Sequence, residues 1–177
     1  TVRIKLIVGL ITLSLFASPV MAKGKLKVFI LAGQSNMEGA GQIKGAARNG
    51  GKGSLEYIVK DPVTAARTKH IIDKNGKWVV RDDVWIWYFD RKGGLTAGYG
   101  ARKTSIGPEF QFGHAMGAAL DEQVLIIKTA WGGKSLQKDF RPPSSGGAVG
   151  PFYTEMIKHV KDVLGDIKKH FPAYDGK

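Results

Sequence analysis

The 177-residue chain contains no cysteine. Disulfide stapling, a thiol nucleophile and cysteine-ligated zinc or iron–sulfur centres are therefore excluded. Histidine is scarce, with four residues, and no His and carboxylate spacing suits a metal, so neither metal nor cofactor is expected. Acidic residues are few, 15 against 27 Lys and Arg. Long apolar runs are lacking too, apart from one at the N-terminus. With 24% charged and 10% aromatic residues, the composition is globular, which excludes a disordered tail, a collagen-like fibre or a coiled coil. The length suits one domain. Chemistry must come from hydroxyls, carboxylates, imidazoles or backbone groups.

The N-terminal run has the form of an export signal. Arg3 and Lys5 precede an uncharged stretch, Leu6–Ala22, ending in Val20 and Ala22. A cationic start, an apolar core and small residues before a cleavage point make residues 1–22 a signal peptide, with a secreted or periplasmic mature chain from residue 23. No membrane span is expected in that mature chain. The basic excess concentrates in Gly41–Ile106, which holds 13 basic and 6 acidic residues. Such a balance concerns partners rather than fold. In an exported protein it favours an anionic polysaccharide or cell envelope, or simply a solvated surface, over nucleic acid.

Leu26–Ala32 and Gln123–Thr129 are apolar and rich in β-branched residues, so both read as strands buried on two faces of a parallel sheet. Asn75-Gly76 is a hairpin signal, with Trp78–Val80 and Val84–Phe89 as its strands. Arg91–Ser105 reads as loop. Gly107-Pro-Glu109 opens a helix, and Phe152–Phe171 carries apolar residues at helical spacing. Strands alternating with helices imply an α/β domain, three-layer α/β/α around a parallel sheet, with a local β-hairpin insertion. Two parallel strands make too small a sheet, so further strands are expected after Lys177 and the domain reads as C-terminally incomplete.

Ligands of open α/β sheets sit beyond the carboxyl ends of the strands. There the first strand runs into Gly33-Gln-Ser-Asn-Met37 and the second into Ala130-Trp-Gly-Gly133. Ser35 is the candidate nucleophile; the N–H groups of Ser35 and of Gly133 or Gly132 are candidate oxyanion donors. Gln34, Asn36 and Trp131 are candidate substrate contacts. Trp85 and Trp87 read as core.

The segment Val28-Phe-Ile-Leu-Ala-Gly-Gln-Ser-Asn-Met-Glu-Gly39 resembles the nucleophile block of the sialate O-acetylesterase-like and carbohydrate esterase family 6 branch of the SGNH hydrolases. Ile106-Gly-Pro-Glu-Phe110 resembles that branch's helix start. Ile126–Leu136 resembles its second block, whose glycine donates an oxyanion N–H. The resemblance implies an SGNH/flavodoxin-like fold and a secreted serine esterase that removes acetyl groups from carbohydrate through an acyl-enzyme on Ser35. The branch's later Trp-x-Gln-Gly and Asp-x-x-His segments do not occur in the chain, so base and orienter are expected beyond it and the fragment alone is expected to be inactive. Without them the rival reading is a non-catalytic secreted module that binds carbohydrate or envelope. Of the histidines, His114 reads as a packed or capping residue, His159 and His170 as surface partners of Glu155 and Asp166, and His70 as exposed.

Overall fold

The computed structural model describes residues 25–171 and Tyr174. The signal-peptide reading of residues 1–22 lies outside the described residues. Six strands occur among them: β1 (Lys27–Gly33), β2 (Gly41–Gln42), β3 (Arg81–Tyr88), β4 (Arg91–Leu95), β5 (Ser105–Ile106) and β6 (Val124–Ala130). The α-helices are α1 (Ser35–Glu38), α2 (Leu55–Ile58), α3 (Ala65–Thr68), α4 (Pro108–Ala119), α5 (Pro151–Gly165) and α6 (Ile167–His170). No helix among the described residues is long and apolar enough to cross a membrane.

The main sheet runs β1-β6-β3-β4. β6 is parallel to both β1 and β3, while β4 is antiparallel to β3. Every residue of β6 is buried, which is what a central strand covered on both faces requires. On one face Val124 and Ile126 pack with Val84, Ile86 and Leu31 beneath α4. On the other, Leu125 and Ile127 meet Trp85, Val163 and Ile167 beneath α5 and α6. Each such fully buried aliphatic side chain contributes about 1.5–3 kcal/mol relative to an exposed one. The architecture is thus three-layer α/β/α around a mostly parallel sheet, the fold class that the sequence implied.

Three local expectations are corrected. β1 is an edge strand and is not buried on both faces: Val28 and Ile30 are 38% and 51% exposed. The α5 and α6 side chains pack mainly against Trp85, Leu125 and Ile127 of the two inner strands. The Asn75-Gly76 turn does form, with Gly76 N–H donating to Asp73, but it closes only an isolated bridge between Ile72 and Trp78. Val84–Tyr88 belongs instead to the main sheet, and the true hairpin joins β3 to β4. The segment Arg-Lys-Gly-Gly-Leu, expected as loop, is strand β4; its glycines and charges carry weak strand propensity. Its Gly94 lies so close to Arg81 that a Cβ would fall 2.4 Å from the Arg81 carbonyl oxygen. Because β3 joins in parallel, the described sheet has four strands rather than two.

The chain crosses itself where α1 ends and α4 begins. Gly39, at φ +82°, lies against Gly107, and a Cβ on Gly39 would fall 2.0 Å from the Gly107 Cα. Gly113 and Gly117 let α4 settle directly onto Leu95 and Val84. Gly39→Ala combines a left-handed backbone with a backbone clash. It is expected to lower unfolding free energy by about 3 kcal/mol or more, measured as the shift of a urea unfolding midpoint.

Candidate functional site

Parallel pairing aligns the ends of β1 and β6, with Gly33 opposite Ala130. One further bond, Trp131 N–H to the Gly33 carbonyl at 3.1 Å, locks the two turns side by side. The chain then coils at once into α1, a single turn in which the N–H groups of Met37 and Glu38 donate to the Gln34 carbonyl at 2.8 and 2.9 Å. Ser35 is the first residue of that turn, and its side chain is exposed. First-turn N–H groups have no helical acceptor. The backbone N–H groups of Ser35, Gly132 and Gly133 make no backbone hydrogen bond among the described residues. Gly133 takes φ +72°, which turns the chain away from the sheet. A hydroxyl and unpaired backbone donors therefore share the carboxyl end of two adjacent strands, where they can meet one carbonyl group.

Gln34 and Asn36 flank Ser35 with exposed side chains. Gln34 also lines an apolar cavity of about 530 Å³ with Leu136, Phe140 and Met156. Trp131 is half-buried, its ring packed against Phe89 at 4.8 Å and Phe152 at 5.2 Å. Phe89 itself takes φ +54° at the β3–β4 turn, an uncommon conformation for an aromatic residue. Trp87 donates its indole N–H to the Phe89 carbonyl at 2.8 Å, which helps hold that turn.

Beneath α1 lies a charge pair that sequence reasoning passed over. Lys128 of β6 and Glu109 of α4 are both fully buried, with Nζ to Oε2 at 2.5 Å. The same ammonium donates to the Glu38 carbonyl at 2.7 Å and the Tyr99 carbonyl at 2.8 Å. Glu109 Oε1 accepts from Gly107 N–H at 2.8 Å. Burial pushes the Glu109 carboxyl up and the Lys128 amine down, and their mutual attraction opposes both shifts. The Tyr88 hydroxyl donates to the Ala130 carbonyl at 3.0 Å, and its pKa is pushed up to about 12, mainly by burial and next by the Glu38 charge. Signals for the pair existed: a lone Lys in an otherwise apolar strand needs a buried partner, and Glu109 opens the next helix along.

The histidines do not approach Ser35 through any hydrogen bond. His114 is 1% exposed, with neither ring nitrogen partnered. It packs against Phe110 and His70. Burial, then the Arg81 charge, lowers its pKa to about 4. His159, expected on the surface beside Glu155, is half-buried against Phe89. His170, expected to pair with Asp166, meets Lys92 Nζ at 2.7 Å. Side chains four apart on a helix yielded to nearer partners across the fold. His70 is exposed, as expected, and lies 3.2 Å from Gln111.

The family model for the carbohydrate esterases described as sialic acid-specific acetylesterases matches residues 25–171. The chain belongs to this carbohydrate esterase family. A solved structure of a protein from Arabidopsis thaliana is similar at 16% identity and a TM-score of 0.44, over 77% of this chain and 50% of that one. The chain thus spans about half the length of that structure. No curated protein matches it.

Two variants examine this interior. Lys128→Met strands a buried carboxylate and two carbonyls, so unfolding free energy should fall by about 3–5 kcal/mol. Lys128→Met with Glu109→Leu should recover part of it, as a double-mutant cycle would measure. For His114, the unfolded imidazole (~6.5) binds a proton before the folded one does. Stability is therefore intact above that pH and falls as pH drops from about 6.5 toward 4. His114→Leu should remove about 2 kcal/mol of the loss between pH 7.5 and 5.0, read from urea midpoints at the two values.

Proposed function

We propose that the protein is an exported serine esterase that removes O-acetyl groups from carbohydrate. The observation that carries this reading is the placing of exposed Ser35 at the first position of α1, beside the unpaired N–H groups of Gly132 and Gly133. Membership of a carbohydrate esterase family supports the ester and the sugar.

In this reading Ser35 Oγ attacks the acetyl carbonyl, forming a C–O bond while its proton passes to a base. The carbonyl oxygen becomes an oxyanion, held by the N–H groups of Ser35 and of Gly133 or Gly132. Collapse expels the sugar hydroxyl, which takes the proton, and leaves acetyl-Ser35. Water then attacks the acyl-enzyme with the same base accepting its proton, and as the acyl C–Oγ bond breaks that proton returns to Ser35 Oγ and acetate departs. A serine needs such a base to be an effective nucleophile. None of the described histidines is hydrogen-bonded to Ser35, so the base in this proposal comes from outside the described residues. Gln34 and Asn36 orient the sugar from either side of Ser35. Trp131, half-buried beside Gly132, is a further contact for it. Export follows from the cationic and apolar character of residues 1–22.

Ser35→Ala should lower p-nitrophenyl acetate hydrolysis and acetate release from acetylated xylo-oligosaccharides by several orders of magnitude. Equal rates for the two proteins would remove Ser35 from the mechanism. No turnover by either, with sugar binding retained, would favour the binding-module reading.

A further inference from the structure

On the other side of α1 from the apolar cavity lies a wider cleft of about 1040 Å³. One wall follows β2 and the other the loop that leads into β5. The strands are paired, Gln42 opposite Ser105, and Ile43 N–H extends the pairing to the Thr104 carbonyl at 3.2 Å. The second wall is tied down: Ala101 N–H donates to the Gly39 carbonyl at 2.8 Å, and Arg102 N–H to Ser105 Oγ at 2.9 Å. These bonds hold the two walls in a fixed relation to the Ser35 turn.

Lys44, Arg102 and Lys103 line the cleft, with Trp78 among them and Glu38 as its single acidic residue. None of the three cations belongs to an ion pair among the described residues. Trp78 is half-buried against Ile71 and Leu55, so its ring is a fixed platform and costs little to order on binding. A neutral sugar gains nothing from three unpaired cations, whereas a chain with a carboxylate on successive rings can satisfy them in turn. At about 1040 Å³ the cleft slightly exceeds the roughly 300–1,000 Å³ of pockets for single small molecules, and it therefore suits several linked rings. Glu38 stands at the end nearest Ser35. A carboxylated ring placed there would be repelled, so the ring presented to Ser35 is a neutral, acetylated one.

We propose that this cleft binds a uronate-bearing polysaccharide, a polymer and not a single acidic sugar, and that it leads an acetylated ring of that polymer to Ser35. The second half rests on the esterase reading above; the binding itself does not.

The test titrates the full chain with an oligogalacturonate and with a xylo-oligosaccharide of equal length, by calorimetry and by tryptophan fluorescence. The oligogalacturonate should bind at least about ten-fold tighter, and more weakly as salt rises. Replacing Lys44, Arg102 and Lys103 together with Gln should cost about ten-fold in affinity. The same change of net charge at Lys161, Lys168 and Lys169, exposed on α5 and α6, should cost less than about two-fold. On the otherwise unchanged chain, Trp78→Phe should abolish most of the fluorescence response, which keeps the test decisive if the triple variant folds poorly. Ser35→Ala should bind as the parent does. Cation-dependent binding without any Ser35-dependent turnover would therefore overturn the esterase reading and leave the cleft standing. The proposal is overturned by equal losses in both triple variants, by equal affinity for the neutral oligosaccharide, or by equally tight binding of single-stranded DNA of matched charge.

Discussion

The contact between Lys128 and Glu109 organises this end of the molecule. Taking either charge out of water alone costs several kcal/mol, so each side chain is tolerable in the core only because the other is there. What the pair holds is backbone. The Lys128 ammonium grips the last carbonyl of α1 and the carbonyl of Tyr99, while Glu109 grips Gly107 N–H. The end of α1 and the stretch from Tyr99 to Gly107, far from it in sequence, are thereby fixed to the central strand. An apolar pair of the same volume would fill the space and bind none of those carbonyls. The turn that carries Ser35 owes its position to an interaction that contains none of the candidate site residues.

The close crossing of Gly39 and Gly107 belongs to the same device. The two backbones approach within a distance that no side chain permits, and this brings Glu38 and Glu109 to opposite sides of one ammonium. The Gly-Gln-Ser-Asn-Met-Glu-Gly and Gly-Pro-Glu segments are thus two halves of a single junction. Their glycines admit the approach, and their second halves supply a carbonyl and a carboxylate.

Much of this was legible in the sequence, for identifiable reasons. β6 is apolar except at Lys128 and Thr129 because it is covered on both faces, and its segment shows it. The start of α4 announces itself through Pro108, whereas the strand-end glycine signals a turn and not the single helical turn α1 that follows it. β1 misled because apolar composition reports what a strand could bury, and an edge position is decided by neighbours elsewhere in the chain. β4 was invisible because its glycines serve close approach to Arg81, which is a tertiary demand. The Asn75-Gly76 turn is a real turn, but a turn signal fixes two or three residues and not the strands beyond them. His159 and His170 show the same limit: helical spacing proposes a partner, and packing across the sheet supplies a nearer one.

The polar and apolar hollows beside Ser35 follow from the same topology. α1 is a single turn standing at the sheet's rim, so the loops on its two sides diverge. On one side the chain after β6 folds over with Leu136, Phe140 and Met156 and leaves an apolar space. On the other, β2 and β5 pair for only two residues each, too short to bury side chains between them, and their flanking Lys44, Arg102 and Lys103 remain in water. A longer ribbon would have buried that surface and neutralised it. Because the ribbon is short, the positive charge stays at the rim, where it acts on whatever approaches the Ser35 turn. The basic excess of Gly41–Ile106, which in the sequence is only a composition, acquires a direction through this short pairing.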